Sequence, residues 1–152
     1  ITKVVTTSLS LKAMVVEKDE QEKGERALLN FGHTFAHAFE SYFGYSEKLL
    51  HGEAVALGMV LATQLSVNLK FLHFEVREKL VEHCKRVGLP ININQINNEV
   101  LNLNNIIEFM KQDKKVVGKN INLILLKGIG KGFIEKSVKF ELIKKFLMET
   151  IS

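Results

Sequence analysis

Residues 28–40, LLNFGHTFAHAFE, set two histidines four apart among phenylalanines. Side chains at i and i+4 share one face of a helix. The spacing predicts a helix over 27–43, ended by Gly44. With Arg26 as the zero of a wheel turning about 100° per residue, Asn30, His33, His37 and Glu40 fall close to one line. Leu28, Leu29, Phe31, Phe35, Phe39, Tyr42 and Phe43 take the remaining girth. A helix apolar over more than half its circumference is largely buried, so its polar stripe faces a cavity or an interface. The plainer alternative is a hydrogen-bonded seam between helices. Five polar residues in register, each costly to bury unsatisfied, favour a site.

Outward from this segment the chain reads as helical. Helices are expected over 9–26 up to the acidic stretch broken by Gly24, over the strongly apolar 51–71, over 73–90 with Gly88 and Pro90 as the stop, over 103–115, and over 139–151. INLILLKGIGKGFIEKSV (121–138) changes period. Its aliphatic run followed by Gly128, Gly130 and Gly132 predicts a small hairpin or extended segment. The Asn-rich stretch 91–105 is a polar connector. The fold class is therefore mainly α, with one short β element and no domain linker inside residues 1–152.

Composition sets the frame. The 152 residues are 46% apolar and 25% charged, as in a globular protein with its own core. The single cysteine, Cys84, excludes a disulfide framework and fits a reducing cytoplasm. The most apolar run, 54–67, is too short and too interrupted to span a bilayer. Residues 111–152 carry ten lysines against four acids, while residues 1–110 carry 11 basic and 13 acidic side chains. A basic region can serve nucleic acid or a phosphorylated ligand; the plainer reading is a solvated lysine surface. No zinc-finger, RNA-binding or helix-turn-helix signature accompanies it, so neither nucleic acid nor a membrane is an expected partner.

A third histidine, His51, opens the apolar helix of LLHGEAVALGM, where Gly52, Ala54, Ala56, Gly58 and Ala62 permit close approach of a second helix. His33 and His51, on adjacent helices, supply two nitrogens. A catalytic zinc usually takes three protein ligands and keeps one position open. No HExxH motif supplies the third. Glu40 and Glu53 are candidates, although Glu53 also suits the positive end of a helix. His73 and His83 read as surface or packing residues.

These residues carry a resemblance. LKAMVVEKDEQEKGERALLNFGHTFAHAFE (11–40), LHGEAVALGM (50–59), DKK (113–115) and LILLKGIGKG (123–132) closely resemble, in order, the C-terminal half of the 3-dehydroquinate synthase family. The likeness runs over residues 9–132, and the LNFGHTF and HGEAVALGM blocks are specific. One departure is Ala36, where that family usually has glycine.

The resemblance implies a multihelical C-terminal domain of the dehydroquinate synthase-like fold, holding metal and substrate. The matching N-terminal half would be an NAD-binding α/β domain lying before Ile1 and supplying a glutamate as third metal ligand. It implies that 3-deoxy-D-arabino-heptulosonate 7-phosphate, a phosphorylated sugar acid, is oxidised at one carbinol by NAD, loses phosphate, is reduced, and recloses as 3-dehydroquinate. Zinc or cobalt would act as Lewis acid. By motif, His33 and His51 match the metal ligands. Lys12, Glu22, Arg26, Asn30 and His37 match substrate-pocket residues, and Lys114 or Lys115 matches a phosphate contact. No cofactor-binding residue is expected in this chain. The full enzyme would be a cytoplasmic homodimer of the shikimate pathway, and residues 1–152 alone would be folded, inactive, and open to solvent along the polar stripe. The rival readings are another sugar-phosphate cyclase, the helical half of a metal-dependent alcohol or glycerol dehydrogenase, and a basic interaction module without catalysis.

Overall fold

The computed structural model describes residues 1–21, 24–96, 101–112, 116–117 and 120–151. Helix α1 (Thr2–Lys18) leads through a 3-10 helix (Glu25–Asn30) into α2 (His33–Tyr42) and α3 (His51–Asn68). Next come α4 (Phe74–Arg86), a short 3-10 turn (Ile93–Gln95) and α5 (Leu103–Lys111). Strands β1 (Val116–Val117), β2 (Asn120–Leu126) and β3 (Gly132–Lys139) precede the closing helix α6 (Phe140–Ile151). The fold is mainly α, as the periodicity indicates.

The expected helix over 27–43 is two elements. Asn30 ends a 3-10 helix, Phe31 is extended, and Gly32 enters α2 with φ +82°. Only glycine takes that left-handed conformation without a steric penalty. The break also rearranges the stripe. In a 3-10 helix, with three residues per turn, positions four apart stand about 120° from one another, so Arg26 and Asn30 are not in line. Helix α1, expected over 9–26, instead runs Thr2–Lys18; α3, α4 and α5 end at Asn68, Arg86 and Lys111, short of the expected 71, 90 and 115, and α6 ends at 151 as expected. Gly44 after α2 and Gly88 after α4 turn the chain with φ +65° and +77°.

Helix α3 is central. It packs on α2, α4 and β2, and ten of its residues, among them Ala54, Leu57, Gly58, Leu61 and Leu65, are buried. The core continues through Phe35 and Phe39 of α2, Ile106 and Met110 of α5, Ile121, Leu123 and Leu125 of β2, and Ile143, Phe146 and Leu147 of α6. Each such side chain removed from water contributes about 1.5–3 kcal/mol. On the opposite side of α3 a second cluster of Val60, Val81 and Cys84 holds α4. Helix α1 has no buried residue and meets the body through the 3-10 helix.

The segment 121–138 is the expected hairpin, and β1 adds a third antiparallel strand in the order β1-β2-β3. The turn is closed by the Lys127 N–H to the Lys131 carbonyl (2.9 Å) and the Lys131 N–H to the Gly128 carbonyl (3.0 Å). A bulge lies between Ile121 and Leu123, where the Ser137 N–H donates to Asn122 Oδ1 (3.2 Å). The sheet is tied to α3 by Ser66, whose buried hydroxyl donates to the Ala62 carbonyl (2.7 Å) and accepts the Leu126 N–H (3.1 Å). Within the Asn-rich connector, Asn102 caps α5 by accepting the N–H groups of Asn104 and Asn105, and Asn92 caps the 3-10 turn before it. Among the described residues no helix is long and apolar enough to cross a membrane.

Candidate metal and anion site

Two glycines set the position of the first histidine. A Cβ on Gly58 would lie 2.1 Å from the Gly32 carbonyl oxygen, and one on Gly32 would lie 2.6 Å from the Met59 nitrogen. Neither contact is possible for a real side chain, so the start of α2 rests directly on the backbone of α3. His33 is the next residue. Ala36, where glycine is usual in the family it resembles, is fully buried, and its N–H donates to the Gly32 carbonyl (3.1 Å). The extra methyl group is accommodated inside α2's buried face.

The loop 43–50 returns the chain so that α3 opens on His51. Its start is capped by Glu53, whose carboxylate accepts the Leu50 N–H (2.9 Å). Glu53 is therefore engaged with the helix end rather than extended toward the other histidines. The His33 and His51 ring centres lie 5.7 Å apart and those of His33 and His37 5.6 Å apart. Two imidazoles on one tetrahedral ion, bound at 2.0–2.1 Å, have centres about 5 Å apart. The separation of His33 and His51 thus fits a shared ion after a small closure. Among the described residues no group of three His, Cys, Asp or Glu side chains is arranged to hold a metal.

Glu40 departs from its expected position. It is in register with His33 and His37 on α2, yet it is buried beneath the start of α3 rather than facing solvent. Its Oε1 lies 2.8 Å from His51 Nδ1. A carboxylate bonded to the ring's side in this way is not a third ligand. The expectation that the whole stripe would face solvent fails at this residue; His37 and His51 are exposed and His33 is half-buried.

Beside His33 an open cleft of about 470 Å³ runs between α1 and the 3-10 helix, lined by Ser8, Lys12, Arg26, Asn30 and His33 with Leu11, Val15 and Leu29. Arg26 is held at both ends. Its N–H and that of Gly24 donate to Asp19 Oδ2 (3.1 and 2.7 Å), and its Nη1 donates to the Glu20 carbonyl (2.6 Å). Among the described residues no carboxylate pairs with the guanidinium, a group suited in kind to a phosphate or carboxylate. His37 is not among the cleft's lining residues and joins the group through His33. Glu22, Lys114 and Lys115 lie outside the described residues. Asp19, which shapes the turn bearing Arg26, and Ser8 carry no sequence signal that would have singled them out. The described lysines of the basic C-terminal region, from Lys127 through Lys145, are exposed, in keeping with a solvated surface.

The 3-dehydroquinate synthase C-terminal family matches residues 1–116. The chain belongs to that family. Among curated members of 3-dehydroquinate synthase, the proteins of Brucella ovis and Cereibacter sphaeroides are 41% and 39% identical to it, over 152 and 150 residues. Each alignment covers 99% of this chain and 40% of the relative, so the chain spans well under half the length of these synthases. Solved structures of similar fold include a 2-deoxy-scyllo-inosose synthase with carbaglucose-6-phosphate, NAD+ and Co2+, at 24% identity and TM-score 0.79 over 97% of this chain. They also include the 2-epi-5-epi-valiolone synthase of Streptomyces hygroscopicus with NAD+ and Zn2+, at 20% identity and TM-score 0.77 over 97% of this chain. Each match covers 39–40% of the solved chain. The 3-dehydroquinate synthase C-terminal fold is thus the architecture that brings His33 and His51 together.

Proposed function

We propose that this chain is the metal- and substrate-binding half of a 3-dehydroquinate synthase. It would act with an NAD-binding half on 3-deoxy-D-arabino-heptulosonate 7-phosphate, eliminating phosphate and forming 3-dehydroquinate on the shikimate route to chorismate and the aromatic amino acids. The observation that carries this reading is one juxtaposition: His33 stands 5.7 Å from His51 and also lines the cleft that holds Lys12, Arg26 and Asn30. A phosphorylated sugar acid needs cations for its anionic groups beside a metal for its hydroxyls, and this juxtaposition supports a site of that kind.

When bound, zinc or cobalt supplies Lewis-acid polarisation of substrate oxygens and NAD supplies a reversible hydride acceptor. The residues of this chain have their own tasks. His33 and His51 hold the ion, with the third, carboxylate ligand coming from the NAD-binding half. Arg26 and Lys12 bind the phosphate and carboxylate and fix the substrate's orientation. The Asn30 amide donates to a substrate oxygen that gains charge. His37 shares a proton with the departing phosphate. Glu22 and one of Lys114 and Lys115 complete the pocket by their place in the family motif. The whole enzyme is read as a cytoplasmic homodimer.

The second reading is a related sugar-phosphate cyclase, favoured by the fold's likeness to the two cyclase structures. Identities of 39–41% to 3-dehydroquinate synthases against 20–24% to those cyclases place it second. The test is product analysis with residues 1–152 joined to the NAD-binding half of a close relative. 3-Dehydroquinate from the heptulosonate phosphate supports the synthase; turnover of another sugar phosphate alone supports the cyclase.

A further inference from the structure

Both histidines of the pair have a partner on the same ring nitrogen. His33 Nδ1 lies 3.4 Å from the Phe31 carbonyl oxygen, and His51 Nδ1 lies 2.8 Å from Glu40 Oε1. A carbonyl and an ionised carboxylate can only accept, so each Nδ1 carries the proton and each Nε2 the lone pair. The two contacts differ in strength. The first is long; the second is short, charge-assisted, and made by a carboxylate whose side chain is 10% exposed against 62% for the imidazole. Glu40 is fixed in the last turn of α2, where the Tyr45 N–H donates to the Glu40 carbonyl (2.8 Å). His51, by contrast, is the exposed first residue of α3, with its ring edge-on to that of His33.

We infer that Glu40 is the positioning residue of the metal site: it fixes the Nδ1–H tautomer and the ring orientation of His51, so that Nε2 is the coordinating nitrogen. This rests on the reading of His33 and His51 as a metal pair. A buried carboxylate has a cost that solvent-facing polar stripes do not, and the Glu40 carboxylate offsets it by bonding to the exposed imidazole. Carboxylate partners of this kind tune metal affinity by about 10–100-fold.

The experiment has one readout without metal and one with it, both on residues 1–152. The first is the tautomer of the histidines by long-range proton–nitrogen NMR, at a pH above the ordinary imidazole range so that the rings are neutral. Expected is a predominantly Nδ1–H His51, against the Nε2–H form that a solvated imidazole ordinarily adopts. An Nε2–H His51 in the wild-type chain overturns the inference without any variant. The second is Co2+ affinity and its visible spectrum in wild type, E40Q and E40L, with circular dichroism to confirm the fold. E40Q keeps an acceptor oxygen and should keep the tautomer with a loss of a few-fold. E40L should lose the tautomer preference and about 10–100-fold in affinity. A folded E40L with unchanged tautomer and unchanged Co2+ binding overturns the inference. Absent Co2+ binding in wild type with an Nδ1–H His51 instead counts against the metal-site reading and leaves the positioning role of Glu40 standing.

Discussion

The Gly58 Cα and the Gly32 carbonyl oxygen are in such close contact that a methyl group on Gly58 would sit 2.1 Å from that oxygen. This contact joins the two helices that carry His33 and His51. The oxygen belongs to backbone, not to the end of a flexible side chain, so it cannot swing away. Gly58→Ala is therefore expected to destabilise the chain by about 1–3 kcal/mol, the ordinary cost of overpacking. It should also weaken Co2+ binding by pushing His33 from His51. Thermal unfolding and a metal titration of the variant check both effects; a silent substitution would mean that the helices do not meet here.

Arg26 is anchored by its N–H on the Asp19 carboxylate and by its Nη1 on the Glu20 carbonyl, and it lines the cleft beside His33. Arg26→Ala in the enzyme joined to its NAD-binding half should cost about 10–100-fold in kcat/KM, the worth of one or two charge-assisted hydrogen bonds. The circular dichroism spectrum should be unchanged, since the residue lies outside the core. Asp19→Ala should give a smaller loss of the same kind by loosening the turn. Near wild-type kinetics for Arg26→Ala would remove it from the anion site.

Burial pushes the Cys84 thiol above its ordinary value. The fold favours the neutral thiol, so the unfolded chain ionises first as pH rises. The stability from this group is complete below the ordinary thiol range and is lost as pH climbs from there toward the raised value. A thiol reagent at neutral pH should label the native chain far more slowly than the urea-unfolded chain. Equal rates would place Cys84 outside the cluster it forms with Val60 and Val81.

Ser66 both donates into its own helix and accepts the Leu126 N–H of β2. Ser66→Ala leaves that partly buried N–H without its acceptor and should cost about 1 kcal/mol. Loss of hydrogen-exchange protection at Leu126 would identify the bond as the cause, and unchanged protection would refute it.

Much of this was legible in the sequence, and the failures have local causes. Among the described residues, helix periodicity marked α2 to α6 because each buries an apolar face, whereas α1, which buries none, was placed only in part, over 9–26 instead of Thr2–Lys18; the glycine-spaced run 128–132 marked the hairpin. The break at Gly32 was hidden. Glycine is tolerated inside a helical pattern, and its need for a left-handed φ here comes from Gly58, twenty-six residues away. The two-residue strand β1 has no periodicity of its own and exists by pairing with β2. Glu40 fitted the polar stripe by angle. Its burial depends on where the loop 43–50 sets His51, a tertiary fact that no helical wheel contains. Asp19 looked like one more surface acid until its carboxylate was seen to organise the turn that carries Arg26.

The decisive measurement is phosphate release from 3-deoxy-D-arabino-heptulosonate 7-phosphate, with NAD and zinc present. It is to be run on residues 1–152 alone, on the chain joined to an NAD-binding half, and on the joined protein with His33→Ala and His51→Ala. A two-histidine site falls one ligand short of the usual three, and the described residues offer no third. The expected result is no release by the chain alone, release by the joined protein, and loss of release in both histidine variants. Phosphate release by residues 1–152 alone, or undiminished release after both histidines are removed, would contradict a metal- and substrate-binding half-site built on His33 and His51.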